Sequence, residues 1–455
     1  GDVYKRQLMH NPVSRFTRWA VAALVLVAVS AQPAHAQPSV EQLHAGITHA
    51  ASTPDKPLIK QYDPFYDDPV PAEQLDRPGK ILRTQPAPHL LNILGPNFPG
   101  YAQRILYTST TVDGRIVPVS GYVIEPANPW RGAGPTPTVV FGPGTRGAGD
   151  ACAPSRGPWM IGQIDPAQPA VGSNYESVHH QAAALMGMRV VVSDLIGLGT
   201  PGAHTYVLHT EEGHALIDAA RATTQPHHPV GFWGYSQGGG ASAAAAELAP
   251  TYAPDLNVKG AFAGAPPANL VETMRGVDNS SILAVVGFAL NGWTERYPQF
   301  QAALDANLNA RGREFLDTTR DACMADSAFR WGFQDSRTFT VSGEPMVDVL
   351  TRDPEIRRKL DEQKLGNRAP QAPVMVSTMG GDQVVPTPQV IQLARDYCAA
   401  GANVTLLNDA LPPLTPPHKI GANHAIGVLA HTAPSLMWLA DRFNDVPSAS
   451  NCGSF

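Results

Sequence analysis

Val230-Gly231-Phe232-Trp233-Gly234-Tyr235-Ser236-Gln237-Gly238-Gly239-Gly240-Ala241-Ser242 is the stretch whose reading decides the fold. Val230–Gly234 is apolar and strand-like, Ser236 falls on a turn, and Gly239–Leu248 reads as a helix of small residues. A serine inside Gly234-x-Ser236-x-Gly238, between a buried strand and a helix, has the pattern of a nucleophile elbow. The turn strains the serine and exposes its hydroxyl, and the residues two before and two after must be small because the backbone passes close on both sides. The N-terminus of the following helix favours negative charge developing beside it. An ordinary glycine-rich turn is the plainer alternative.

Working outward, strands alternate with helices. Arg104–Thr111 and Arg115–Ile124 read as strands joined at Asp113-Gly114, a hairpin signal. Thr138–Gly142 is an apolar strand that runs into the loop Pro143-Gly144-Thr145-Arg146-Gly147. Helices are expected at Tyr175–Met186 and His214–Thr224, and strands at Met188–Asp194 and Val258–Ala263. Continuously apolar strands alternating with helices indicate a parallel sheet covered on both faces. The alternation stops over residues 269–370, where helical segments dominate: Ser281–Leu290, Pro298–Leu308 and Pro354–Gln363. An insertion of about 100 residues is too long for a loop and predicts a helical cap. The pattern resumes with Pro373–Met379, Thr387–Ala400, Asn403–Leu407 and a last helix Ile426–Phe443. The expected fold is the α/β-hydrolase fold, a mostly parallel central sheet with helices on both faces and an inserted cap, or lid. The division is 37–268 and 371–455 for the two parts of the core, and 269–370 for the cap. Residues 37–100 are Pro-rich and irregular, with one short helix near Val40–Ala51.

Residues 1–36 read as an N-terminal extension and a removable signal peptide. Met9 is a plausible start. Arg15 and Arg18 precede an apolar run from Trp19 to Ala31, and Ala34-His35-Ala36 supplies a small-x-small cleavage site. The run is too short to span a bilayer, which needs about 20 residues. The expected location is therefore secreted or periplasmic, with no stable membrane insertion after cleavage. The chain has 33 Lys and Arg against 39 Asp and Glu, and four of the bases but one acid lie before residue 37, so cleavage leaves a net charge of −9. That balance argues against nucleic acid as a partner. Four cysteines, Cys152, Cys323, Cys398 and Cys452, suggest disulfides in an exported chain. Neither CxxC nor HExxH occurs, so no metal site is expected; the adjacent pairs His179-His180 and His227-His228 would, in a strand, point to opposite faces.

A serine hydroxyl needs a base, and the base needs an orienting carboxylate. In this fold they follow the serine in the order acid, then histidine. Asp382 sits just past the strand Val374–Met379, in Gly380-Gly381-Asp382. His424 lies in Gly421-Ala422-Asn423-His424, read as a loop before the last helix; His418 and His431 read as surface residues. The tetrahedral intermediate needs two preorganised N–H donors. Gln237, after the nucleophile, would give one, and Thr145, with Arg146 as fallback, the other. Ser281–Leu290 is apolar nearly all round, which suits cap core. One face could also line an acyl tunnel, with Phe288 and Leu290 as lining residues. Tyr235, beside the nucleophile, is the third candidate for substrate binding.

These motifs resemble the secretory lipases of the lipase A type. The marks are Gly144-Thr145-Arg146-Gly147 followed by Cys152-Ala153-Pro154-Ser155, then Asp194 with Gly197-Leu198-Gly199 and Pro201-Gly202. Gly234-Tyr235-Ser236-Gln237-Gly238, Gly381-Asp382 with Val385-Pro386, and His424 complete them, so the resemblance runs from about residue 60 onward. Gly142-Pro143 stands where bacterial relatives often carry His-Gly, and Leu195 where Tyr is common. The resemblance implies a helical lid, hydrolysis of acylglycerols or other carboxylic esters, a lipid or other ester substrate met at an oil–water interface, and no cofactor. It also implies the disulfides Cys152–Cys323 and Cys398–Cys452. An acyltransferase using the same triad, a polyester hydrolase and an inactive binding protein are the competing functions.

Overall fold

The computed structural model describes residues 59–455, so the signal peptide and the helix near Val40–Ala51 lie outside the described residues. Nine strands form one sheet: β1 (Ile81–Pro86), β2 (Gly100–Thr110), β3 (Ile116–Pro126), β4 (Thr138–Gly142), β5 (Arg189–Ser193), β6 (Pro229–Tyr235), β7 (Asn257–Gly264), β8 (Val374–Met379) and β9 (Val404–Asp409). Their order is β1-β2-β3-β5-β4-β6-β7-β8-β9. Pairing is antiparallel from β1 through β3 to β5, and parallel from β5 to β9. The continuously buried strands are the parallel ones: β4, β6 and β8 have every residue buried. Such strands bury both faces, which is why helices must cover both.

Helices α1 (Ser177–Leu185), α2 (His209–Thr223) and α3 (Gln237–Tyr252) belong to the first part of the core. Seven more lie between β7 and β8: α4 (Leu270–Val277), α5 (Ala284–Thr294), α6 (Pro298–Asn307), α7 (Ala310–Thr319), α8 (Met324–Trp331), α9 (Met346–Thr351) and α10 (Pro354–Glu362). Helices α11 (Thr387–Ala399) and α12 (Ala422–Phe443) complete the core. The apolar side chains of α2, α3 and α11 share a core with the cap, whereas those of α1 and α12 pack with Phe141, Trp233 and Phe262 in a second core.

Two expectations need correction. Residues 81–86 form strand β1 rather than irregular chain; it is a half-exposed edge strand with no apolar alternation to announce it. His179 and His180 lie on α1, within the helix expected at Tyr175–Met186, and both are buried: His180 Nδ1 meets the Tyr122 hydroxyl at 2.6 Å and His179 Nδ1 the Thr432 hydroxyl at 3.0 Å. His431 is 1% exposed, with Nε2 3.2 Å from Asp409, because α12 lays it against the end of β9.

Candidate active site

Ser236 sits between β6 and α3 with φ 59° and ψ −123°, a left-handed φ that a side-chain-bearing residue adopts only under strain. Glycines make the turn possible. A Cβ on Gly238 would lie 2.0 Å from the Gly142 carbonyl oxygen, and one on Gly239 would lie 2.1 Å from that of Gly264. The start of α3 is therefore wedged between the C-terminal ends of β4 and β7. The Ser236 N–H donates to the Gly264 carbonyl at 2.8 Å, which anchors the turn to β7.

Asp382 lies past β8 and is 6% exposed. Its Oδ1 accepts the backbone N–H groups of Val384 (2.9 Å) and Val385 (3.1 Å), and its Oδ2 lies 2.7 Å from His424 Nδ1. The carboxylate is thus fixed on one oxygen and free to orient the imidazole with the other. His424 is not in a loop but in the first turn of α12, which starts at Ala422 behind Gly421 at φ 81°. Gly-Ala-Asn reads as a turn. Here Asn423 instead donates to the carbonyls of Gly380 (2.7 Å) and Pro412 (3.0 Å), tying the helix start to the acid loop. The Tyr235 hydroxyl donates to the His424 carbonyl at 3.0 Å, and the two rings lie 5.1 Å apart. The histidine is thereby held beside the residue preceding Ser236.

The loop after β4 is held from several sides. The Gly144 N–H donates to Glu176 at 2.8 Å, and the Arg146 guanidinium pairs with Glu176 at 3.0 Å in a buried ion pair. Burial pushes the Glu176 carboxyl up, against the Arg146 charge. Tyr175 donates to the Thr145 carbonyl (2.9 Å), and the Thr145 hydroxyl meets that of Tyr206 (2.7 Å). The cap grips the same loop: Met324 N–H donates to the Arg146 carbonyl (2.8 Å), Ala148 N–H to that of Ala322 (2.9 Å), and Cys152 is bonded to Cys323. A second disulfide joins Cys398 to Cys452.

Ser236 and Gln237 border an apolar cavity between core and cap. Much of its cap wall is one face of α5 and the turn before it, where Ile282, Val285, Val286, Ala289, Leu290 and Trp293 recur at helical spacing, and α4, α6, α9 and α10 supply the rest. Val384 and Val385, beside Asp382, contribute from the core. The walls are almost wholly aliphatic and aromatic, so the space suits an apolar chain.

Comparison with known proteins decides the family. Residues 168–451 match the secretory lipase family. The chain belongs to that family. Among its relatives, a probable inactive lipase of Mycobacterium tuberculosis is 29% identical over 86% of this chain and 84% of the relative. A secreted triacylglycerol lipase of Malassezia globosa is 26% identical over 90% and 86%, and a trichothecene C-3 esterase of Fusarium sporotrichioides 27% identical over 90% and 89%. The fold is similar to that of Candida antarctica lipase A in its closed state, with a TM-score of 0.70, 21% identity, and coverage of 86% of this chain and 88% of that one. Lipase/esterase-type hydrolysis on the α/β-hydrolase fold is the activity of this secretory lipase. Among the described residues no helix is long and apolar enough to cross a membrane.

Two residues expected to bind substrate do not border this cavity. Phe288 is fully buried on a part of α5 that does not border the cavity, edge-to-face with Tyr206 at 5.9 Å; helical spacing puts Leu290 on the wall and Phe288 off it. Tyr235 supports the His424 backbone from behind and does not border the cavity either. Sequence reasoning missed Asn423, whose bonds to Gly380 and Pro412 are made only in the folded chain.

Proposed function

We propose that this secretory lipase is a secreted serine carboxylester hydrolase working through an acyl-enzyme on Ser236. His424 takes the serine proton as Oγ attacks the ester carbonyl, and Asp382 holds the imidazole in the tautomer that leaves Nε2 free for this. The N–H groups of Gln237 and Thr145 receive the oxyanion. His424 then returns the proton to the departing alcohol, and water, activated by the same base, releases the acid. The acyl chain occupies the apolar cavity under α5. The observation that carries this reading is the strained Ser236 opening onto that cavity while Asp382 and His424, from separate parts of the chain, lie 2.7 Å apart.

The triad is tested by an organophosphonate, which should label Ser236 alone, and by Ser236→Ala and His424→Ala, each expected to lose several orders of magnitude of ester hydrolysis. Asp382→Asn should also cost heavily by favouring the wrong tautomer. Wild-type-like turnover in Ser236→Ala would overturn the reading.

A further inference from the structure

The side chain of Gln237 is 1% exposed and is held by two groups that the triad does not use. Its Nε2 donates to Glu212 Oε1 at 2.9 Å and lies 2.9 Å from His204 Nε2. His204 Nδ1 lies 2.8 Å from the Ile196 carbonyl oxygen. A carbonyl can only accept, so Nδ1 carries the proton and Nε2 is left as the acceptor that Gln237 needs. Glu212 Oε1 accepts a second bond, from the Val207 N–H at 2.9 Å. The same amide therefore uses both of its hydrogens on two fixed acceptors. The loop bearing His204 is locked to the cap: Trp293 Nε1 donates to the Tyr206 carbonyl at 3.1 Å, and a Cβ on Gly292 would lie 2.2 Å from the His204 carbonyl oxygen.

We propose that Glu212 and His204 are positioning residues of the oxyanion site: they clamp the Gln237 side chain and so fix the direction of the Gln237 backbone N–H. The inference rests on the acyl-enzyme reading of Ser236. A side chain held at both amide hydrogens cannot rotate without breaking two buried bonds, and its own backbone N–H lies at the first position of α3.

The form of Glu212 matters to this clamp. Its Oε2 is buried with no hydrogen-bond partner among the described residues, a poor place for a full negative charge. Burial pushes the carboxyl up to about 8; the bonds from Gln237 and Val207 favour the ion, and neighbouring Glu211 opposes it. His204 is held neutral by burial, and its pKa is pushed down to about 4. The Tyr206 hydroxyl is pushed up, mainly by burial. From the cap, Arg296 is engaged by Glu211 at 2.6 Å, so it does not neutralise Glu212. The first turn of α2 favours an anion, but burial is the larger effect. The site therefore favours the neutral acid form of Glu212. Its ionisation puts a negative charge behind the donor that must stabilise another.

The experiment is kcat and KM across pH 5–10 on a soluble p-nitrophenyl ester for wild type, Glu212→Gln and Glu212→Ala, each first titrated with a phosphonate at Ser236. Wild type should lose kcat above about pH 8. Glu212→Ala should lower kcat about tenfold to a hundredfold with KM little changed, less than the loss of a whole oxyanion donor. Glu212→Gln keeps the acceptor but cannot ionise, so it should rescue most of that loss and move the alkaline limb upward. An alkaline limb in Glu212→Gln superimposable on that of wild type overturns the proposal, whether or not Glu212→Ala folds. Failure of the phosphonate to label Ser236 in wild type would instead overturn the acyl-enzyme reading beneath it.

Discussion

Replacing Leu290 and Phe288 one at a time separates cavity wall from cap core on a single helix. The two residues are two positions apart on α5 and both are buried, yet only Leu290 borders the cavity that Ser236 opens onto. Leu290→Ala withdraws three carbons from that wall. Each acyl CH₂ newly sheltered from water is worth about 0.8 kcal/mol. If three of them fit, the gain is up to about 2.4 kcal/mol, or about 60-fold in kcat/KM for a longer acyl chain relative to acetate. Phe288→Ala makes its hole elsewhere. It should cost about 3–5 kcal/mol of stability while leaving the chain-length profile in place. The assay is kcat/KM on p-nitrophenyl esters from acetate to palmitate, with urea unfolding of each variant. A profile that shifts in Phe288→Ala and stays put in Leu290→Ala would refute the assignment of the α5 faces.

Two further predictions concern stability. The disulfide Cys152–Cys323 spans 171 residues and Cys398–Cys452 spans 54. The chain-entropy account gives about 5 and about 4 kcal/mol respectively. Denaturant titration should therefore find the paired serine substitutions at 152 and 323 the more costly, and the reverse order would show that entropy is not what governs them. Burial pushes His89, His179, His204 and His209 down to about 4, and pushes the carboxyls of Asp218, Glu247 and Glu212 up to about 6, 7 and 8. The unfolded chain binds imidazole protons below about 6.5 that the fold refuses, and releases carboxyl protons above about 4.3 that the fold retains. The two effects oppose each other between those values. Above about 6.5 only the carboxyls act, so Tm measured by calorimetry should fall from there to about pH 8. Glu247→Gln, which keeps an acceptor for Tyr397 and Gly366, should shallow that fall; an unchanged slope would exclude Glu247 as a contributor.

What was legible in the sequence depends on short-range constraint. The turn at Ser236 could be read because its requirements are local: an apolar strand, glycines two residues to each side, and a small-residue helix behind. Asp382 could be picked out because it follows a buried strand directly, and the helical insertion because strands stop for about 100 residues. His424 was found by chain order, but its place on α12 was not, because Asn423 starts a helix only through bonds to Gly380 and Pro412. The resemblance to a known family, not spacing, supplied the cysteine pairs.

By itself, then, the amino-acid sequence determined the strand–turn–helix around Ser236, the parallel core and the cap, since backbone preference and burial pattern act within a few residues. Tertiary structure alone decided which side of α5 faces the cavity, that the Tyr235 hydroxyl bonds to the His424 carbonyl, and that Glu212 and His204 grip Gln237. Those outcomes depend on partners 25 to 189 residues away, and a side chain's role is set by what the fold brings against it.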